Sequence, residues 1–193
     1  MSGNSPSNHL VRWALALLAV GLLVQAAPSA VRAQPASAGF IDLYRLGAGD
    51  RLRVTVYGEP TFSGDFAVSD SGEVAMPLVG AVKAGGLTVA QFRELAAKTL
   101  ADGYLNNPKL AVEIINYRPF YILGEVNKPG EYPFAVGLTV LKAVATANGF
   151  TYRGNKSVVL IKHEGEKLER ELHLDPSVLV QPGDVIRIKE RHF

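Results

Sequence analysis

Histidine is the first residue to examine for catalysis or metal binding, because its ring both transfers protons and ligates metals near neutral pH. The chain has four, His9, His163, His173 and His192, and it has no cysteine. His163 and His173 flank a predicted hairpin, but no third ligand stands at the spacing that a zinc site requires. We therefore predict solvent-facing strand histidines and no metal centre. The lack of thiols excludes cysteine catalysis and thiolate metal sites.

A group of acidic residues invites comparison with the carboxylate pair of a glycosidase. Its members are Glu164, Glu166, Glu169 and Glu171. Lys162, Lys167 and Arg170 interleave with them, which favours an exposed hairpin held by ion pairs. A catalytic acid and base need surroundings that separate their pKa values, and an exposed hairpin does not provide them.

The serines and glycines form no catalytic motif. None of the turn-like serines lies in a Gly-x-Ser-x-Gly elbow. The glycines Gly80, Gly85 and Gly86 are not followed by the Gly-Lys-Ser/Thr of a phosphate loop. We predict no catalytic residue, no cofactor and no metal, and hence a protein that is not an enzyme. Its functional surface should serve binding or assembly.

Aromatic residues give a positive lead because sugars stack their C–H faces on aromatic rings. Tyr117, Phe120, Tyr121 and Tyr132 gather where the predicted domains meet. Core packing is the expected role of Phe120 and Tyr121. Tyr117, together with Arg118, and Tyr132 are the candidate glycan or interdomain contacts.

The amino terminus has the profile of a cleaved secretory signal. A polar start without acidic residues leads to Arg12 and then to twelve apolar residues, Trp13 to Val24. As a helix this run rises about 18 Å, well short of a hydrocarbon core about 30 Å thick. We therefore predict a signal peptide over 1–33 rather than a membrane anchor.

The cleavage site is predicted between Ala33 and Gln34, because Val31-Arg32-Ala33 places compact residues where a signal peptidase needs them. Ala36-Ser37-Ala38 is a second candidate. A flexible leader over 34–43, rich in Ala, Pro and Ser, should follow. The signal predicts that the mature chain is exported from the cytoplasm.

The charge balance argues against nucleic acid as a partner. The chain has 20 Lys+Arg and 18 Asp+Glu. Arg12 and Arg32 leave with the predicted signal, so the mature part is neutral, and it has no basic cluster to follow a phosphate backbone. About 160 residues remain, enough for one core or two small ones without disulfides.

The first half of the mature chain begins with strand patterns. Apolar residues alternate with polar ones from Leu46 to Tyr57, the period of a half-buried strand. The segments 66–68 and 74–76 flank turn-forming residues and are predicted to form a hairpin.

A helix and a further strand complete this half. Thr88 with Gln91 forms a capping box, and apolar residues at helical spacing continue until Gly103. Another alternating strand covers 110–114. Pro119 restricts the residue before it to extended geometry, so we place the domain junction there.

The second half has a similar composition of elements. A short helix should begin at the cap Thr139 and end at Asn148-Gly149. Predicted strands cover Phe120–Val126, Tyr132–Phe134, Val158–Lys162, Leu168–Leu174 and Val185–Ile188.

Two short sequences recur between the halves. Gly86-Leu87-Thr88-Val89 returns as Gly137-Leu138-Thr139-Val140, each time before a helix. Gly49-Asp50 returns as Gly183-Asp184, each time before a strand. Too few residues are shared to argue that one half arose by duplication of the other. The repeated sequences support two small units with a similar arrangement of turns, helix and strands.

Two longer stretches resemble a known family. The run from Tyr44 to Val56, which contains Gly47-Ala48-Gly49-Asp50, with Asp70-Ser71-Gly72-Glu73, Pro77, Gly80 and Gly86-Leu87-Thr88, resembles the export domain of bacterial outer-membrane polysaccharide exporters, the Wza-like family. Tyr121 to Tyr132, followed by Leu141 to Gly149, resembles the soluble-ligand-binding β-grasp (SLBB) domain that follows it there.

This resemblance implies the fold class α+β, with two small mixed domains: an export domain over 44–117 and a β-grasp (ubiquitin-like) domain over 118–193. It implies a periplasmic homo-oligomeric ring that conducts capsule or exopolysaccharide outward without a chemical step. The implied partners are the polysaccharide and an inner-membrane polysaccharide copolymerase.

Larger members of the family carry a lipidated cysteine, further β-grasp domains and a C-terminal amphipathic helix that crosses the outer membrane. None of these is seen in this sequence. We therefore expect a short form of the family that is not a lipoprotein and that relies on a separate outer-membrane pore protein. The alternative interpretation is a periplasmic module that binds a small ligand or glycan.

Overall fold

The structure, a computed structural model, describes Gly39 and residues 43–191. The predicted signal peptide, its cleavage site at Ala33 and Gln34, and all of the leader except Gly39 and Leu43 lie outside the described residues. Within the described part, no helix has the length and apolar character needed to cross a membrane.

The first domain is built on a three-stranded antiparallel sheet of order β2-β1-β5. The central strand β1 (Arg51–Val56) alternates exposed and buried residues along its whole length, which confirms the strand predicted from the period-two pattern. It pairs with β2 (Gly64–Ala67) on one side and β5 (Leu110–Asn116) on the other. The alternation directs one face of the sheet into the core.

The hairpin predicted from 66–68 and 74–76 is present only at its turn end, as an antiparallel bridge between Val68 and Val74 and a bond from the Ser69 N–H to the Glu73 carbonyl at 2.8 Å. The main partner of the strand β3 (Glu73–Met76) is β4 (Gly80–Lys83), a strand that was not predicted. A tight turn reverses the chain between them, where the Val79 N–H donates to the Pro77 carbonyl at 2.7 Å. The partner of β3 was therefore nearer in sequence than the turn at 69–73 indicated.

The helix α1 (Val89–Ala101) begins as predicted. Thr88 is its N-cap, and the reciprocal hydrogen bonds with Gln91 complete the capping box. Its buried face carries Phe92, Ala96 and Leu100, at the four-residue spacing of one helical face. The apolar face of α1 thus joins the core of the first domain.

The second domain is a five-stranded mixed sheet with one helix. Its strands are β6 (Phe120–Gly124), β7 (Gly130–Tyr132), β8 (Val158–Lys162), β9 (Arg170–His173) and β10 (Val185–Ile188), in the order β7-β6-β10-β8-β9. The two central strands, β6 and β10, run parallel. This arrangement is that of a β-grasp domain, so the predicted α+β class with two small mixed domains is confirmed.

The helix α2 (Val140–Thr146) has Thr139 as its N-cap and is followed by Asn148 and Gly149 at positive φ, as the capping pattern predicts. Two hydrophobic clusters form the cores. One draws on Tyr44 to Leu100 and the other on Phe120 to Ile188. Tyr117 packs against both clusters, so its ring lies where the two cores meet.

Candidate functional site: a charged clamp between two glycine–aspartate turns

The two Gly-Asp sequences fold into the same turn. In the first turn the Gly47 N–H donates to Asp50 Oδ2 at 2.9 Å, and the Asp50 N–H donates to the Gly47 carbonyl at 3.2 Å. In the second, Gln181 and Asp184 make the same two bonds at 2.7 and 3.1 Å. The glycine before each aspartate has a positive φ, as the third position of a type II turn demands.

The two Gly-Leu-Thr-Val sequences lie beside the glycine–aspartate turns. The Leu46 N–H, just ahead of the first turn, donates to the Leu87 carbonyl at 2.9 Å. Val180, ahead of the second turn, donates to the Leu138 carbonyl at the same distance. Each domain therefore joins a glycine–aspartate turn to the entry of its helix by the same backbone contact.

Asp50 is fully buried, and donors occupy both of its carboxylate oxygens. The Tyr44 hydroxyl lies 2.9 and 2.8 Å from Oδ1 and Oδ2, and the Gly47 N–H also bonds Oδ2. Arg118 contributes its backbone N–H to Oδ1 at 2.9 Å and Nη1 to Oδ2 at 3.1 Å. Burial and the Asp50 charge raise the pKa of the Tyr44 hydroxyl well above its ordinary value, so this hydroxyl stays a donor.

Arg118 connects the two domains through its side chain. Its Nε lies 2.5 Å from Glu164 Oε2, an ion pair whose angle is not that of a hydrogen bond. Its guanidinium carbon also lies 5.5 Å from the centre of the Tyr44 ring, within reach of a cation–π contact. We call Tyr44, Asp50, Arg118 and Glu164 the junction clamp.

Glycines make room for the clamp on both sides of Arg118. A Cβ on Gly47 would lie 2.5 Å from Arg118 Nη1. A Cβ on Gly183 would lie 2.9 Å from Arg118 Nε and 2.7 Å from Glu164 Oε2. The guanidinium thus passes between the two glycine–aspartate turns. A side chain at Gly47 or Gly183 would collide with it, which is a reason for glycine at both positions in addition to the turn geometry.

His163 is not the solvent-facing histidine that was predicted. Its Nδ1 lies 2.6 Å from Oδ1 of the fully buried Asp184, and only 19% of its side chain is exposed. Burial raises the pKa of Asp184, and the bonds from the Gln181 N–H and from His163 oppose that rise. The prediction failed because the turn between β8 and β9 folds back onto the second glycine–aspartate turn. His173 is exposed and pairs across the sheet with Val158.

The predicted hairpin held by ion pairs is present, although its pairs differ from the interleaving expected. Glu166 binds Arg170, Glu169 binds Arg187 on β10, and Glu171 binds Lys189. Glu164 leaves this pattern and binds Arg118 at the junction. Spacing within the hairpin could not reveal the last three pairings, because their partners come from elsewhere in the chain.

The predicted contact residues lie in two different places. The Tyr117 ring packs edge-on between Tyr44 and Phe134, with ring centres 5.1 and 5.5 Å away. Tyr132 is not brought to that position: its ring stacks on Phe120 and its hydroxyl donates to the Lys128 carbonyl. Tyr117 and Arg118 are thus neighbours at the junction, and Tyr132 belongs to the β6–β7 edge.

A cavity of about 500 Å³ lies over the clamp. Tyr44, Phe134, Leu179 and Pro182 give it an apolar wall, and Arg118 and Glu164 give it charge. A carboxylate that already accepts several hydrogen bonds, as Asp50 does, is poorly placed to take a proton from a substrate. The geometry therefore suits holding two domains together beside a cavity rather than proton transfer.

Family comparison gives two adjoining matches. Residues 42–115 match the family described as polysaccharide biosynthesis/export protein, and residues 119–170 match the SLBB domain. The glycine–aspartate turn at Asp50 falls in the first match. Arg118 falls between them, at the point where the structure places the clamp.

Several relatives have names drawn from polysaccharide production or transport. The exopolysaccharide production protein ExoF of Rhizobium meliloti is 36% identical over 166 residues, which are 80% of this chain and 38% of the relative. The export outer membrane protein EpsA of Ralstonia solanacearum is 26% identical over 77% of this chain and 48% of its own length. The polysialic acid transport protein KpsD of Escherichia coli is 26% identical over 72% and 25%. The chain thus spans between a quarter and a half of these relatives.

The chain thus combines a polysaccharide export domain with an SLBB domain of β-grasp fold, and Arg118 connects the two. The chain belongs to the Wza-like family of polysaccharide export proteins.

Proposed function

We propose that this protein is a periplasmic component of a machine that exports capsule or exopolysaccharide, and that it conducts the polymer toward the outer membrane without a chemical step. The observation that carries the proposal is the order of the two matched domains, export then SLBB, within one chain. The names of ExoF, EpsA and KpsD support a role in the same process.

The clamp supports a mechanical role. A subunit of a conduit must keep its domains in a fixed relation, because misplacement of one domain would disturb the contacts to its neighbours. Arg118 reaches Asp50 in the first domain and Glu164 in the second. The carboxylates of Asp50 and Asp184 are both buried and hydrogen-bonded, which favours positioning over catalysis.

The proposed assembly is a closed homo-oligomeric ring between an inner-membrane polysaccharide copolymerase and a separate outer-membrane pore protein. Ring closure requires a head-to-tail interface that repeats around an axis. Sedimentation of the purified mature chain measures this directly: we expect a single species of fixed subunit number. A monomer at all concentrations would contradict the ring.

A second candidate function is the binding of a small ligand or glycan by a periplasmic module. The cavity over the clamp favours it, since about 500 Å³ lies within the usual range of ligand sites. A protein of this kind has no need of a ring and would sediment as a monomer.

The test of the export role is a clean deletion of the gene in the source bacterium, scored for surface polysaccharide. We expect the surface polymer to be lost and a plasmid copy to restore it. A deletion strain with normal amounts of every surface polysaccharide would overturn the proposal.

A further inference from the structure

We infer that a groove at the end of β1 binds one sugar unit of the exported polysaccharide, an inference that rests on the proposed function. The groove is about 210 Å³ in volume and is open to solvent. It is separate from the cavity over the junction clamp and shares no lining residue with it.

Two segments of the first domain form the groove. Val56, Tyr57 and Glu59 come from the end of β1 and the turn after it, and residues 105–109 come from the loop between α1 and β5. The Tyr57 N–H donates to the Lys109 carbonyl at 3.0 Å, which continues the β1–β5 ladder and holds the two segments together. The two walls of the groove are therefore joined at the end of the β-sheet.

Tyr57 presents an aromatic ring to solvent at the groove. It is 65% exposed, whereas Tyr44 and Tyr117 are packed into the junction. Tyr104 stands on the same loop, 47% exposed, with its ring edge-on to the buried Phe62 at 6.4 Å. Tyr104 does not line the groove itself. The exposed Tyr57 ring at this concave site supplies the flat apolar surface on which the C–H face of a sugar can rest.

Polar side chains surround the Tyr57 ring. Glu59, Asn106, Asn107 and Lys109 line the groove and are exposed. Across the part of the chain that the structure describes, none of these four side chains has a hydrogen bond or ion pair. Two amides both donate and accept, the carboxylate accepts and the amine donates, which is the mixture that vicinal hydroxyl groups require.

Asn107 turns the loop at the groove wall. Its φ is 50°, in the left-handed region, which asparagine enters more readily than most other non-glycine residues. Asn106 and Asn107 are thus adjacent in the wall, and both expose their amides.

The volume of the groove and the charges of its lining residues favour a sugar as the ligand. The groove is smaller than the usual 300–1,000 Å³ of a site that encloses a drug-sized molecule, which suits one ring of a longer chain. Glu59 and Lys109 balance each other in charge, so the site offers nothing specific to a phosphate or another small anion. A neutral polyhydroxyl unit fits the aromatic ring and the amides together.

The test uses short oligosaccharides prepared from the surface polysaccharide of the source bacterium, titrated into the ¹⁵N-labelled mature chain. We expect the side-chain NH₂ signals of Asn106 and Asn107 to shift on binding, with the backbone signals of the 104–109 loop. Signals from the junction clamp should remain in place.

Substitutions of Tyr57 test whether the sugar stacks on its aromatic ring. We expect Tyr57→Ala to weaken binding about ten-fold or more, the loss typical of a central aromatic anchor. Tyr57→Phe keeps the ring and should bind as the wild type does. Tyr152→Ala is the matched control, because Tyr152 is 83% exposed and does not line the groove. Circular dichroism shows whether each variant is folded.

The inference is overturned if the wild-type chain does not bind the oligosaccharides, or if Tyr57→Ala binds as tightly as Tyr57→Phe. Its failure is distinct from failure of the export role. A deletion strain that loses its surface polymer, together with a chain that does not bind sugar, would leave the export role standing and remove the groove. A deletion strain that exports normally would remove the export role whatever the titration shows.

Discussion

Replacement of Arg118 with alanine is the sharpest test of the junction clamp. The change removes the guanidinium that lies between Asp50 and Glu164 and leaves the backbone N–H that also bonds Asp50. The same change removes the bond from Nη1 to the Tyr44 hydroxyl at 2.7 Å. The guanidinium is only 14% exposed, and the Asp50 carboxylate that it leaves is fully buried.

The expected loss follows from the groups that remain. Removing one partner of a buried ion pair costs about 3–5 kcal/mol, because the other charge stays buried without compensation. Asp50 keeps the Tyr44 hydroxyl and two backbone N–H groups, so we expect the lower end of that range, about 3 kcal/mol. Glu164 is half exposed and should contribute little.

The matched control is Arg53→Ala. Arg53 also pairs with an aspartate, Asp65, at 2.7 Å, but both side chains are well exposed, so solvent screening should leave little loss of stability. Urea unfolding followed by circular dichroism gives both free energies of unfolding. A loss for Arg118→Ala no larger than that for Arg53→Ala would refute the clamp.

Three further predictions concern the glycine–aspartate turns and a helix cap. Because burial raises the folded-state pKa of Asp184 above 3.8, the folded state holds this proton more tightly than the unfolded state. Urea titrations over a pH series should show the wild type losing stability relative to Asp184→Asn as the pH rises from 3.8 through the folded-state pKa. A relative gain in stability over that range would refute the prediction. Gly183→Ala should cost about 2 kcal/mol more than Gly165→Ala, because both have a positive φ but only Gly183 faces Arg118 and Glu164; equal thermal stabilities would contradict it. Thr88→Ala should cost about 1 kcal/mol by loss of the cap, and unchanged urea unfolding would argue against the capping box.

The elements of this fold could be predicted where a local sequence pattern was sufficient. The alternation of apolar and polar residues predicted β1, and the capping box at Thr88 with Gln91 predicted the start of α1. The pairing of β3 with β4 was not predicted, because the turn-forming residues at 69–73 directed attention to the segment before β3 and not to the one after it. The tight turn at Pro77–Val79 decided the pairing.

The candidate site was predicted in part, for a similar reason. Tyr117 and Arg118 stood out because they adjoin Pro119 at the expected junction. Their partners Asp50 and Glu164 are distant in sequence, and the Asp50–Arg118 contact spans 68 positions. The repeated Gly-Asp pattern was the available signal for Asp50 and Asp184. Nothing local distinguished Glu164 or His163 from an exposed hairpin.

The most direct test of the export role follows newly made polymer during depletion of the protein. Cells that carry the gene under a repressible promoter receive a pulse of labelled sugar, and the label is measured in the periplasmic and surface fractions. We predict that depletion leaves the label in the cell envelope and that re-expression carries it to the surface. Label that reaches the surface of depleted cells at the wild-type rate would contradict the account.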